Sequence, residues 1–221
     1  GAGHKWLPHE INYRANVFAL KRAGATMMLG FSAVGSLAQR LEPGHLAMPN
    51  QYIDFTRGLR EHTFFGRGVA AHVSTADPVS AALTAAVVKA AKSIQRPLHT
   101  DLVYACVEGP RLGTRAESHF FRQAGCHLVG MTNVPEVFLA REAQMAYATV
   151  GLVTDYDCWM DDPARHANVS SIFEQYGQTL AQARLLLDAL LSNPLPLPET
   201  TTRTALSTSM VIPTSTPPPA A

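Results

Sequence analysis

Four short, nearly all-apolar runs, at 26–31, 102–107, 128–131 and 147–153, recur along this chain, and a stretch of helical period lies between each and the next. A run that does not alternate apolar with polar residues fits a strand covered on both faces. Repeated units of this kind lead to an α/β domain, a sheet flanked by helices. A further segment, 46–55, reads as strand material interrupted by Pro49. In open α/β sheets ligands bind outside the carboxyl ends of the strands, so the residues just after each run are where chemistry is expected.

The helices announce themselves by their ends. Over 10–23, Ile11, Ala15, Val17 and Phe18 follow helical spacing, with Pro8 near the start and Gly24 where a C-cap belongs. Asp77-Pro78 opens an alanine-rich helix that reaches about Ile94. Thr114 and Glu117 form a capping box for a helix ending at Gly125, and Pro135 starts another. A long amphipathic helix is predicted over 171–191, with Ser171 and Glu174 as a second capping box. Beyond Ser192 the composition turns to proline, threonine and serine. The expectation is therefore one domain over 1–191 and a disordered tail over 192–221.

With 47% hydrophobic residues in 221, the chain can bury one sizeable core, and its net charge of +1 offers no broad basic surface for nucleic acid. Cys106, Cys126 and Cys158 are odd in number and widely spaced, which argues against a disulfide framework and against a zinc site. The start does not read as a signal peptide, and no apolar run approaches the roughly 20 residues that span a bilayer. A soluble, cytoplasmic protein is expected, with no metal and no cofactor. The Asn168-Val169-Ser170 sequon carries no weight in that setting. No GxGxxG follows any strand, which sets a dinucleotide fold aside.

Two strand-end runs carry the chemistry. Met131-Thr132-Asn133-Val134-Pro135-Glu136-Val137 places a hydroxyl and backbone amides just before a proline-started helix, where oriented N–H groups favour an anion. Thr154-Asp155-Tyr156-Asp157-Cys158-Trp159 sets two carboxylates two residues apart after a buried strand. Partly buried together, one of them could hold a proton and offer it to a leaving group. On local grounds alone, ordinary capping explains Asp155 and Asp157 about as well, and explains Ser32 or Thr132 taken singly better than a functional role does.

These runs, with Glu108-Gly109-Pro110-Arg111 and Ser32-Ala33-Val34-Gly35-Ser36, resemble the purine nucleoside phosphorylase superfamily, and most closely its 5'-methylthioadenosine phosphorylases. The resemblance covers about 4–191. It implies a nucleoside-phosphorylase-like mixed sheet flanked by helices in a single domain. The implied activity is a pentosyltransferase reaction in which 5'-methylthioadenosine and phosphate give adenine and 5-methylthioribose 1-phosphate, in purine and methionine salvage. It further implies Asp155 as the catalytic group at N7 of the base and Asp157 as acceptor of the exocyclic amine. Ser32, the Ala33 amide, Thr132 and His4 would bind phosphate, and Met131 would contact the ribose. Val169 and Ile172 would form the apolar wall of the 5' pocket. His72 would reach that pocket from the adjacent subunit of a homotrimer. Arg111 reads equally as a salt-bridge partner, and Lys5 is not assigned a role.

The chain also departs from the family pattern. The opening strand, glycine-rich phosphate loop and second strand with its Arg-His pair would lie before Gly1, so the domain is expected to be N-terminally truncated. Leu112 stands where methylthioadenosine phosphorylases place a phenylalanine on the purine, as in methylthioinosine phosphorylases. Gly113 stands where 6-oxopurine enzymes place a glutamate, and Asp155 where they carry an asparagine, so a 6-aminopurine is favoured. The alternatives are a 6-oxopurine nucleoside or methylthioinosine phosphorylase and, from another class, a non-catalytic truncated family member.

Overall fold

The protein is described by a computed structural model over residues 3–162, 166 and 168–211. Its body is a closed barrel of five strands: β1 (Met27–Ser36), β2 (Leu46–Phe55), β4 (Leu98–Val107), β5 (Leu128–Gly130) and β6 (Ala146–Asp155), ordered β1-β5-β4-β2-β6. Pairing is mixed. β1 runs parallel to β6 over its whole length, from Met27↔Ala146 to Gly35↔Asp155, whereas β1 and β5 pair antiparallel at Gly35↔Val129. β2 runs parallel to β4 and closes antiparallel on β6 at Leu46↔Leu152. Pro49 stays inside β2, where the register shifts on either side of it, the kind of irregularity at which a strand tolerates proline.

Alternation along each strand assigns the two faces. Leu102, Tyr104 and Cys106 of β4 join Val34, Tyr147 and Val153 in the inner cluster, which α1 (Tyr13–Arg22) and α4 (Glu136–Glu142) complete through Val17, Val137 and Leu139. On the outer face, Ala148, Val150 and Leu152 meet Leu83 and Val87 of α2 (Ala81–Ser93) and Ala183 and Leu186 of α5 (Val169–Leu191). β6 is thus buried on both sides, which is why its sequence reads as an unbroken apolar run. Phe121 of α3 (Arg115–Gln123) covers Ala105 on β4 in a third cluster.

Several predicted ends move. α1 begins at Tyr13, since Pro8–Glu10 forms a separate 3-10 turn in which the Leu7 N–H donates to Glu10 Oε2 at 2.8 Å. α2 begins at Ala81, capped by Ser80, whose Oγ accepts from the Leu83 N–H. Thr114 and Glu117 do form the reciprocal capping box of α3. The cap of α5 is Asn168 and not Ser171: Asn168 Oδ1 accepts from the Ser171 N–H at 3.0 Å, because an Asn one turn earlier reaches the orphan donors first.

The tail expectation needs a correction up to residue 211. α6 (Thr200–Arg203) follows Glu199, whose carboxylate accepts from Ser80 Oγ and the Ala82 N–H at the start of α2. β7 (Met210–Val211) then pairs antiparallel with β3 (Ala70–Ala71). A polar, proline-rich sequence is ordered here by satisfying the open N–H groups of a helix and the edge of a strand, which composition does not report. The rest of the tail, 212–221, lies outside the described residues. Among the described residues no helix is long and apolar enough to cross a membrane.

Candidate active site

Parallel pairing of β1 with β6 carries the Ser32 segment and the Asp155 segment to the same end of the barrel. Ser32 Oγ lies 3.0 Å from Thr132 Oγ1, so two hydroxyls 100 residues apart in sequence form one hydrogen-bonded pair. Ser32 is buried, with its Oγ also 3.2 Å from the Ala33 carbonyl oxygen. Thr132 sits just past β5, in the turn that leads through Pro135 into α4.

The turn after β4 packs on the same place. Gly109 adopts φ +66, and a Cβ there would overlap the Met131 sulfur, so glycine is required both by backbone conformation and by the close approach of Met131. Behind both turns sits Arg60, 5% exposed, which sequence reading passed over. Its Nε–H donates to Glu108 Oε1 at 2.9 Å, its Nη1 to the Met131 and Val134 carbonyls at 2.7 and 2.6 Å, and its Nη2 to the Glu108 carbonyl at 3.0 Å. The Arg57 N–H donates to the other Glu108 oxygen. One guanidinium therefore joins the Glu108 turn to the Met131 turn. In sequence Arg60 lies in a polar stretch that reads as surface, and no local signal marks it.

Asp155 closes β6 beside Gly35, where an added Cβ would come within 3.1 Å of its Oδ1. Its Oδ1 accepts from the Asp157 N–H at 2.7 Å and its Oδ2 from Thr154 Oγ1 at 2.6 Å. Burial pushes the Asp155 carboxyl above its ordinary value, and the negative charge of Asp157 adds to that, against the two hydrogen bonds. Asp157 is also buried and also raised, chiefly by desolvation, while its Oδ2 accepts from Ser118 Oγ of α3. Gly113 faces both Asp157 oxygens. Trp159 fixes the end of the loop, its indole N–H donating to the Ser36 carbonyl at 2.8 Å and its ring stacked under Arg122.

A cleft of about 450 Å³ opens over Thr154 and Asp155, walled by Glu42, Pro43, Tyr156, His166, Asn168 and Ser171. A larger groove, about 830 Å³, lies elsewhere, between α1 and the 59–67 loop, and touches none of the residues above. The smaller cleft contains the buried Asp155 carboxylate, and neither cleft is lined by Ser32 or Thr132.

The remaining expected residues are less closely joined. Ile172 is half-buried and Val169 exposed in the first turn of α5, whose Asn168 cap walls the cleft. Leu112 is exposed beyond the Gly109 turn. His4 is exposed, with its ring edge-on to Phe173 of α5 at 5.4 Å. His72 is exposed next to β3, its backbone N–H donating to the Ser209 carbonyl. Among the described hydrogen bonds, none links His4 or His72 to Ser32, Thr132 or Asp155. Arg111 is held by both oxygens of Glu117, at 2.8 and 2.6 Å, as a salt-bridge partner. Among the described residues no group of three His, Cys, Asp or Glu side chains is arranged to hold a metal ion.

Comparison with known proteins shows the family. The phosphorylase superfamily profile matches residues 2–192. An S-methyl-5'-thioadenosine phosphorylase of Rhodospirillum rubrum is 48% identical over 203 residues, covering 90% of this chain and 68% of its own length. One from Geobacter sulfurreducens is 44% identical over 189 residues, 85% of this chain and 65% of the relative. The crystal structure of a methylthioadenosine phosphorylase from an antarctic soil metagenomic library superposes with a TM-score of 0.88 at 37% identity, over 97% of this chain and 75% of that one. The chain thus spans about two thirds of the length of the curated relatives it matches. The chain belongs to the phosphorylase superfamily, and its similarity within that family is to the methylthioadenosine phosphorylases.

Proposed function

We propose that this chain carries the site for phosphorolysis of 5'-methylthioadenosine to adenine and 5-methylthioribose 1-phosphate. The observation that carries the reading is the hydroxyl pair Ser32–Thr132 beside β6, whose last residue is Asp155, a carboxyl that burial shifts toward the protonated form. Phosphate accepts from Ser32 Oγ, Thr132 Oγ1 and the Ala33 amide, with His4 as the basic residue at the rim. The C1'–N9 bond of the nucleoside breaks, a phosphate oxygen bonds to C1', and the base leaves with a proton at N7 supplied by Asp155. Catalysis then comes from stabilising an oxocarbenium-like transition state and from neutralising by protonation the charge that develops on the departing base.

Asp157 accepts from the exocyclic amine through the oxygen not engaged by Ser118, which favours adenine over hypoxanthine. Met131 lies against the ribose, with Leu112 over the base and Val169 and Ile172 around the methylthio group. His72 completes the 5' pocket of a neighbouring subunit in a homotrimer, a reading supported by its exposure beside the ordered C-terminal segment. The protein is proposed to act in the cytoplasm without metal or cofactor, phosphate being a co-substrate.

The test is release of free base from 5'-methylthioadenosine with and without phosphate. Phosphate-dependent adenine is expected. Release only of hypoxanthine, from methylthioinosine or inosine, would replace this reading with a 6-oxopurine phosphorylase, and no release from any nucleoside would favour a non-catalytic family member.

A further inference from the structure

Beneath the Ser32–Thr132 pair the barrel holds a tyrosine that the proposed chemistry does not use. Tyr104, on the inner face of β4, is fully buried, and its hydroxyl has no hydrogen-bond partner of good geometry among the described residues. Burial pushes this hydroxyl far above its ordinary value, and the Thr132 backbone and the Ser32 side chain lie near enough to draw it back down in part. Gly130, two residues before Thr132, is where the tyrosine hydroxyl fits: a Cβ there would overlap Tyr104 Oη. The barrel thus gives up a side chain on β5 to admit a hydroxyl that it then leaves unpaired. A phenylalanine would pack the same ring without that polar burden, since a buried hydroxyl without a partner costs folding free energy.

The hydrogen-bond inventory of the pair supplies a reason. Ser32 Oγ has the Ala33 carbonyl oxygen at 3.2 Å as an acceptor, and it shares one hydrogen bond with Thr132 Oγ1. When both hydroxyls turn their protons to a phosphate, that mutual bond is lost and Ser32 Oγ keeps a free lone pair in a buried place. A donor beneath it is then needed, and Tyr104 is the hydroxyl that lies there.

We propose that Tyr104 is a positioning residue for phosphate. Its O–H donates to Ser32 Oγ in the phosphate-bound state and so holds the serine proton toward the anion. This rests on the reading of Ser32 and Thr132 as the phosphate hydroxyls.

The test compares wild-type protein with Tyr104→Phe, Ser32→Ala and the double variant. Inorganic phosphate binding is followed by calorimetry and phosphate KM in the base-release assay, each beside a thermal melt. Tyr104→Phe is expected to weaken phosphate roughly three- to tenfold, the loss of one hydrogen bond, with nucleoside KM unchanged and Tm equal or higher. The double variant should be no weaker than Ser32→Ala, since Tyr104 acts through Ser32. Equal phosphate affinity for wild type and Tyr104→Phe would overturn the inference, as would additive losses in the double variant or a lowered Tm with nucleoside and phosphate weakened alike. A wild type that binds phosphate but cleaves no nucleoside would remove the proposed reaction and leave this inference to the calorimetry. A wild type that binds no phosphate would overturn both.

Discussion

The Nε–H of Arg60 donates to Glu108 Oε1 at 2.9 Å with the arginine side chain fully buried and the carboxylate 7% exposed, making this the one deeply buried ion pair among the described residues. The same guanidinium caps four backbone carbonyls, from Met131, Val134, Val107 and Glu108. The pair therefore holds the two turns of the site in register with each other.

Removing the arginine leaves a buried carboxylate and four carbonyls without this donor. Arg60→Met is expected to destabilise by about 3–5 kcal/mol, the usual cost of breaking a buried pair from one side. Denaturant unfolding checks it. Burial alone would raise the Glu108 carboxyl, but the Arg57 N–H and the Arg60 guanidinium outweigh it and hold it below its ordinary 4.5. The stabilisation it brings is thus present above about pH 4.5 and is lost as pH falls below that value. In Arg60→Met this acid-dependent loss should be smaller than in wild type, because without the guanidinium burial is opposed chiefly by the Arg57 N–H and the folded state no longer favours the charged carboxylate as strongly.

Asp155 has the opposite sign. Its carboxyl is raised above 3.8 by burial, so the folded state favours the proton and loses stability as pH rises from 3.8 through the folded value. Asp155→Asn keeps an acceptor for the Asp157 N–H while removing the buried charge. It is expected to raise Tm at pH 7, with the gain fading toward pH 3.8, and to lower kcat for adenine release by about 10²–10⁴-fold, the range for loss of a general acid. A fall in Tm at pH 7 would count against the assignment of a strained, functional carboxylate.

Ser118 acts on Asp157 from α3. Ser118→Ala removes the donor to a buried carboxylate oxygen and is expected to cost about 1–3 kcal/mol of stability. It should also push the Asp157 carboxyl further up and raise nucleoside KM while leaving phosphate KM unchanged. Steady-state kinetics with each substrate varied in turn would show the split.

Glu199 joins the C-terminal segment to the start of α2. Burial would raise its carboxyl, but the Ala82 N–H, its own backbone N–H and the Ser80 hydroxyl together bring it below 4.5. Its contribution is therefore present above about pH 4.5 and lost below it. Glu199→Gln is expected to cost about 0.5–2 kcal/mol, the value of a helix cap. It should also speed amide exchange at Ala82 and along 200–211. Exchange confined to 200–211 would mean that the cap of α2 stands without it.

The positions of the strand runs, the Thr114–Glu117 capping box and the four strand-end motifs were legible in the chain, because hydrophobic period, capping and turn chemistry are set by residues within a few positions of one another. The α/β class followed from them. What local pattern could not carry was any relation between distant segments. Closure of five strands into a barrel depends on an antiparallel contact of only two residue pairs, Gly35↔Val129 and Ser36↔Leu128, which leaves no periodicity of its own. Arg60 reads as surface until two turns, at Glu108 and Met131, fold around it. The tail reads as unstructured until Glu199 meets the open N–H groups of α2. Sequence alone determined which segments become strands and helices and which residue types stand at their ends. Tertiary structure decided which of those ends meet, because burial and hydrogen-bond satisfaction are properties of the assembled surroundings and not of neighbours along the chain.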